Sequence, residues 1–246
     1  MMPRLPLPKG MEEAEVIEGW RTPEGARIAA IRILLDEGWK TYWRSPGEAG
    51  IPPQFDFTAS ENVAGVEVLW PRPEVFEQNG MRTLGYHDEV VLPLAITPTD
   101  PERPVNLAID LDFGICQEIC VPVSVAVSAE LDGPDEAAPA IEAALTAQPR
   151  LSDINAQCIV EPIADGMRVT ARMPVPASGA EPVAVFELDH PGIWVSEAQT
   201  HREGDTLVSM AEFVPGDGQP FPLDAEKLRI TLFEGGDALE LDGCED

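Results

Sequence analysis

The chain has 246 residues, enough for one large or two small domains. Its 44 acidic residues against 16 basic ones leave a formal net charge of −28, which excludes nucleic acid as a partner and disfavours docking on anionic lipid. The 25 prolines, about twice ordinary usage, make long helices scarce and point to a mostly β class.

Along the chain, alternation of period two marks strands. Segments 12–17, 27–35, 39–44, 54–58, 66–70, 90–97, 105–115 and 121–131 read this way. Turn signals such as Asp36-Glu37-Gly38 and Pro98-Thr99-Asp100-Pro101 separate them. Many short strands with regular turns predict a β-sandwich. A composition shift follows: Asp132-Gly133-Pro134-Asp135 opens an Ala-rich stretch, 136–147, which reads as a short helix with Ile141 and Leu145 four apart on one face. Beyond it, 158–163, 167–173, 183–188, 193–198, 206–213, 228–233 and 238–241 give about seven more strands, enough for a second small sandwich. The predicted architecture is all-β: two sandwich domains, 1–132 and 151–246, joined by a linker with a short helix at 133–150.

The most informative stretch is Phe113-Gly-Ile-Cys116-Gln-Glu-Ile-Cys120-Val-Pro122. Before it, Leu107, Ile109, Leu111, Phe113 and Ile115 alternate with Asp110 and Asp112; after it, Val121, Val123, Val125 and Val127 alternate with Ser124 and Ser128. Two strands joined by Gln117-Glu118-Ile119 make a hairpin. Odd-numbered side chains then face the core, and Cys116 and Cys120 face each other on the outer surface. On one straight strand residues four apart would be about 13 Å apart. Folded back, opposed Cα atoms come to about 4.5–5.5 Å, within the roughly 4.4–6.8 Å that a disulfide needs. Three-residue hairpin loops usually want a left-handed residue, and this loop offers no glycine for it.

Closing a loop of about five residues stabilises by roughly 2 kcal/mol in the chain-entropy model, whereas Cys158 and Cys244, closing about 87 residues, give roughly 4.6 kcal/mol. A short outward bridge is a poor staple and more easily reduced. Cys116 and Cys120 are therefore assigned to redox chemistry, and Cys158 and Cys244 to a structural disulfide. The plainer alternative has both bridges structural. A metal site is disfavoured, because no His lies near either cysteine in sequence and two sulfurs leave a zinc shell incomplete; no metal and no cofactor are expected. Asp110, Asp112 and Glu118 raise a neighbouring thiol's pKa, and no Lys or Arg is close in sequence to favour a thiolate. The pair reads as a disulfide that waits for an activated partner to attack it.

Elsewhere the chain is quiet. His190 and His201 are isolated and read as surface or turn residues, and no phosphate loop or serine-nucleophile motif occurs. No apolar run approaches membrane-spanning length, so this chain is not expected to insert in a membrane. Residues 1–8 lack the hydrophobic stretch of a signal peptide. Four cysteines nevertheless favour an oxidising compartment, with an export signal trimmed or outside this chain. The acidic charge fits a protein that steers basic partners toward itself, though plain solubility explains it equally well.

Three segments carry a resemblance. They are Gly38-Trp-Lys-Thr-Tyr-Trp-Arg-Ser-Pro-Gly-Glu-Ala-Gly-Ile-Pro-Pro53; Val68-Leu-Trp-Pro-Arg-Pro-Glu-Val-Phe76 with Gly85-Tyr86 and Val90-Val-Leu-Pro93; and Cys116-Gln-Glu-Ile-Cys120-Val-Pro122. Together they resemble the amino-terminal periplasmic domain of the DsbD family of thiol:disulfide interchange proteins, nearer its ScsB-like branch, linked to suppression of copper sensitivity. The resemblance covers about 12–131. It implies an immunoglobulin-like domain, a periplasmic location and a protein-disulfide reductase component. In that role Cys116 and Cys120 would take electrons from a thioredoxin-like domain or protein and pass them to a periplasmic thioredoxin-fold client. It also implies a cap loop over the pair, here about 75–86, with Phe76 as the shielding aromatic and Tyr42 and Trp43 lining the site. By the same analogy Cys120 attacks the client. The cysteine spacing is tighter than in the best-known members, and the membrane-embedded and thioredoxin-like parts are absent from this sequence. The chain is accordingly expected to be a trimmed ectodomain or a free-standing relative reduced by a separate protein. Three rivals stand beside this reading: a non-enzymatic two-sandwich interaction module with structural disulfides; a copper-tolerance protein, against which the scattered Met167 and Met173 argue; and a carbohydrate-binding sandwich, suggested only by Trp194.

Overall fold

A computed structural model of the chain describes residues 7–78, 80–133, 138–176, 179–190 and 192–245. Strands form where alternate side chains can be buried, and the chain divides into two units, Met1–Gln148 and Pro149–Asp246. The first contains β1 (Met11–Arg21), β2 (Arg27–Leu35), β3 (Lys40–Tyr42), β4 (Gln54–Asp56), β5 (Val63–Val68), β6 (Glu74–Gln78), β7 (Met81–His87), β8 (Glu89–Pro98), β9 (Val105–Cys116), β10 (Cys120–Leu131) and the helix α1 (Pro139–Thr146). Among the described residues one sheet runs β1-β2-β8-β5 and the other β10-β9-β3-β7-β6, with β4 also pairing β9. Ile31, Ile33, Leu92 and Leu94 of the first sheet and Leu107, Ile109, Leu111 and Phe113 of the second are all buried.

β2 is apolar on both faces, which half-buried strands of antiparallel sheets rarely are. The helix explains it. Ile141 of α1 is fully buried against Ile28 and Ala30 of β2, with Trp20 and Leu145 packed around it. The segment expected to be a linker is thus, over α1, part of the first unit. Residues 134–137 of that expected linker, including Glu136 of the expected helix, lie outside the described residues, as do residues 1–6 at the start.

The second unit contains β11 (Arg150–Leu151), β12 (Gln157–Pro162), β13 (Met167–Met173), β14 (Val183–Leu188), β15 (Ile193–Val195), β16 (Gln199–Glu203), β17 (Thr206–Pro215), β18 (Leu228–Glu234) and β19 (Asp237–Asp242). Its sheets run β11-β19-β18-β14 and β12-β13-β17-β15, with β16 also on β17. Val169, Ala171, Met173 and Phe213 from one sheet meet Phe186, Ile230 and Leu232 from the other in a single core. The class expected from the sequence holds: all-β, each unit a two-sheet, mostly antiparallel immunoglobulin-like sandwich.

Candidate functional site

The hairpin β9–β10 pairs in register over its whole length, from Val105↔Leu131 to Cys116↔Cys120 at the tip. The two cysteines are therefore directly opposed. They are joined in a disulfide with Cα atoms 4.2 Å apart. Gln117, Glu118 and Ile119 close the turn without a positive φ, and Ile119 projects with 76% of its surface exposed.

β3 supplies the other half of the site. Lys40 pairs with Cys116 on one side and with His87 on the other, and Tyr42 pairs with Gly85. Opposed residues and alternate residues share a face. One face of the sheet thus carries Cys120, Cys116, Lys40, His87 and Tyr42 together. Gly114 leaves room on that face: a Cβ there would lie 2.7 Å from Ile51 and 3.1 Å from the Tyr42 ring. The phenol reaches across this gap. Its oxygen is 2.7 Å from the Cys116 sulfur and 2.9 Å from the Cys120 sulfur. A disulfide sulfur carries no hydrogen, so the phenol is the donor to both. Burial pushes the Tyr42 phenol's pKa up, which keeps it a donor well into the alkaline range.

The outer face proves unequal at its two sulfurs. Cys116, expected to be open, is only 2% exposed, while Cys120 is exposed. The parity argument identified the face correctly. What it did not contain is β3 and the chain after it, which place Tyr42 and Ile51 over this end of β9. Cys120 thus faces solvent, and Cys116 lies beneath the phenol.

The expected cap loop, 75–86, is a β-hairpin instead: β6 and β7 pair from Glu74↔Gly85 to Gln78↔Met81, with Asn79 outside the described residues. Phe76 sits on the same sheet face as the cysteines, half-buried. Its ring is 4.4 Å from that of His87 and 4.9 Å from the Lys40 ammonium. Trp43 has no exposed surface and stacks with the Arg44 guanidinium at 4.3 Å; it packs as a core residue. Of the three expected aromatics, Tyr42 bonds the sulfurs and Phe76 lies over their neighbour Lys40.

Lys40 itself was missed from the sequence. It lies 76 positions before Cys116 and only the β3–β9 register makes them neighbours. The one available signal was parity: Lys40 shares a strand face with Tyr42. Its side chain is largely buried, and burial lowers its pKa. His87 is more exposed, with Nδ1 3.4 Å from the Glu74 carboxylate. Asp112, expected to acidify the surroundings of the pair, takes a hydrogen bond from the Ser124 hydroxyl.

In the second unit Cys158 and Cys244 are joined, with Cα atoms 5.6 Å apart and both side chains buried. Cys158 is on β12, Cys244 follows β19, and the bridge ties the two sheets. Backbone bonds from Cys158 to Glu245 and from Glu245 to Ala156 reinforce it. Met167 and Met173 are buried there. Trp194 is half-exposed, and His190 and His201 are at the surface.

Residues 12–131 match the family model described as thiol:disulfide interchange protein DsbD, N-terminal. The crystal structure of the N-terminal periplasmic domain of ScsB from Proteus mirabilis is similar in fold, with a TM-score of 0.69 and 22% sequence identity over 99% of this chain and 98% of that one. No curated protein matches the chain. Among the described residues no helix is long and apolar enough to cross a membrane.

Proposed function

We propose that the chain, whose residues 12–131 match the model of the DsbD N-terminal family of thiol:disulfide interchange proteins, relays electrons by exchange at Cys116 and Cys120. A thioredoxin-like donor reduces the pair, and an oxidised thioredoxin-fold client in the periplasm then takes the electrons. The observation that carries the proposal is the asymmetry of the bridge: Cys120 is exposed at a hairpin tip, and Cys116 is buried with the Tyr42 hydroxyl on its sulfur.

Bonds and electrons balance at each step. A donor thiolate attacks the Cys120 sulfur, and the Cys116–Cys120 bond breaks as the intermolecular S–S bond forms. Cys116 departs as a thiolate with the Tyr42 phenol as hydrogen-bond donor. The donor's second thiolate then attacks the donor's own sulfur in the mixed disulfide and releases Cys120. Two electrons have moved, and solvent supplies the protons. Toward a client the sequence runs in reverse, with Cys120 as the attacking thiolate. Cys158 and Cys244 serve the fold. The periplasmic location is supported by the ScsB domain's description and by the presence of two disulfides.

The test is trapping. Cys116→Ala leaves the exposed Cys120 thiol, which should form a stable mixed disulfide with a single-cysteine thioredoxin-fold donor whose remaining sulfur is activated as its thionitrobenzoate disulfide, with thionitrobenzoate as the leaving group. Cys120→Ala leaves the buried Cys116 and should trap at least tenfold less. If neither variant traps the donor, the exchange reading fails. The rival in which both bridges are structural makes a separate demand: a reduction potential for Cys116–Cys120 below about −300 mV.

A further inference from the structure

On the face that bears the disulfide, four positions line up across three hydrogen-bonded strand pairs: Cys120, Cys116, Lys40 and His87. Lys40 stands immediately beside the sulfur that leaves. Directly opposed residues of an antiparallel pair hold their Cβ atoms about 5 Å apart, so the Lys40 and Cys116 side chains leave the sheet side by side. The stem is enclosed: Lys40 is 8% exposed. The head is fixed by the Phe76 ring at 4.9 Å, a cation–π contact. Water screens a charge held this way poorly, and an opposite charge arising beside it interacts strongly.

We propose that Lys40 is the positioning residue that stabilises Cys116 as a thiolate, and so sets how readily the bridge opens. This rests on the exchange reading of the site. In the oxidised protein no negative charge stands at Cys116. On attack at Cys120 the S–S electron pair passes to Cys116, and the Lys40 charge, one strand away on the same sheet face, attracts the new anion while Tyr42 donates to it. Among the described residues, the other charged or titratable groups placed on this face are Tyr42 on β3, Cys120 on β10, and His87 on β7 with Glu74 of β6 against it. Lys40 is the cation directly opposite Cys116 on the β3–β9 strand pair. The lowered pKa of Lys40 in the oxidised protein, caused by burial, agrees with a charge held largely out of water. Phe76 acquires a role as well: it holds the ammonium in place.

The experiment uses the full chain and no protein partner. In a Cys120→Ser background, Cys116 is the one free thiol, and its ionisation is followed by thiolate absorbance near 240 nm against pH. Lys40→Met keeps the stem and removes the charge; it should raise the Cys116 pKa by about 1 unit. Lys40→Arg keeps the charge and should leave it within about 0.3 unit. With both cysteines present, reduction by dithiothreitol at pH 7 should slow about three- to tenfold in Lys40→Met and recover in Lys40→Arg. An unchanged pKa in Lys40→Met overturns the inference, and so does an equal rise in Lys40→Arg, which would mark packing instead of charge. If Lys40→Met does not fold, Lys40→Gln removes the same charge and is read by the same pKa and rate. Dithiothreitol needs no docking surface. Failure of the donor to trap, with the Lys40 effect intact, would therefore condemn the partner assignment and leave this inference standing.

Discussion

Replacing Tyr42 by Phe is the sharpest single probe of the site. The ring stays, so the cover over Gly114 and Cys116 stays; only the hydroxyl is lost, with its bonds of 2.7 and 2.9 Å to the two sulfurs. In the oxidised protein the acceptors are neutral and weak, and those bonds contribute about 0.6 kcal/mol. When Cys116 leaves, its sulfur becomes an anion, and a donor to a charged acceptor contributes about 2 kcal/mol. The difference, about 1.4 kcal/mol, corresponds to roughly a tenfold rate or about 30 mV in a two-electron potential. Tyr42→Phe should therefore be reduced by dithiothreitol about tenfold more slowly, and its potential should fall by about 20–30 mV. Because burial raises the phenol's pKa, the wild-type group stays protonated across pH 6–9, and the ratio of the two rates should be flat there. Stopped-flow reduction and glutathione equilibration measure the two quantities. A rate within twofold of wild type together with a potential within about 5 mV would show that the hydroxyl only fills space.

Three further outcomes concern the second unit. Replacing Cys158 and Cys244 by Ala should cost it about 4 kcal/mol in urea unfolding while leaving the dithiothreitol rate of the first unit unchanged. Arg202 donates to both oxygens of Glu234, at 2.9 and 2.8 Å, and to the Val175 carbonyl, with side chains 19% and 12% exposed; Glu234→Ala should destabilise by about 3 kcal/mol, since it strands a buried guanidinium. The Glu203 carboxyl is held below its ordinary value of 4.5, first by the hydrogen bond from Arg172 and then by His201. Its contribution is complete above pH 4.5 and is lost as pH falls through the lowered value, so Glu203→Gln should flatten that part of the acid-stability profile of the second unit.

Local rules went a long way in this chain. Alternation marked β13, and apolar strand-forming runs marked β2 and β14, at their observed limits, with most other strands within a few residues, because a strand's apolar residues are visible in its own sequence. The opposition of Cys116 and Cys120 was legible for the same reason, since a hairpin pairs residues adjacent in the chain. β6 and β7 were not legible. Glu74-Val-Phe-Glu-Gln78 is an edge strand with little to bury, and β7 holds a run of four buried residues from Thr83 to Tyr86 with no alternation. β16, with its polar Gln199-Thr-His-Arg-Glu203, was hidden likewise.

The character of the disulfide, by contrast, follows from packing between distant parts of the chain. Whether a sulfur at the tip of a ribbon is open or covered depends on what lies over that face. Here the cover comes from residues more than 60 positions away, Tyr42 and Ile51. Lys40, opposite Cys116, is likewise a neighbour through strand pairing alone. The sequence by itself determined that two cysteines meet at a β-turn; the packing of a distant strand across them determined which sulfur faces water and which is enclosed. Pairing within a hairpin is local, whereas burial and electrostatics sum over everything that folds back onto the site.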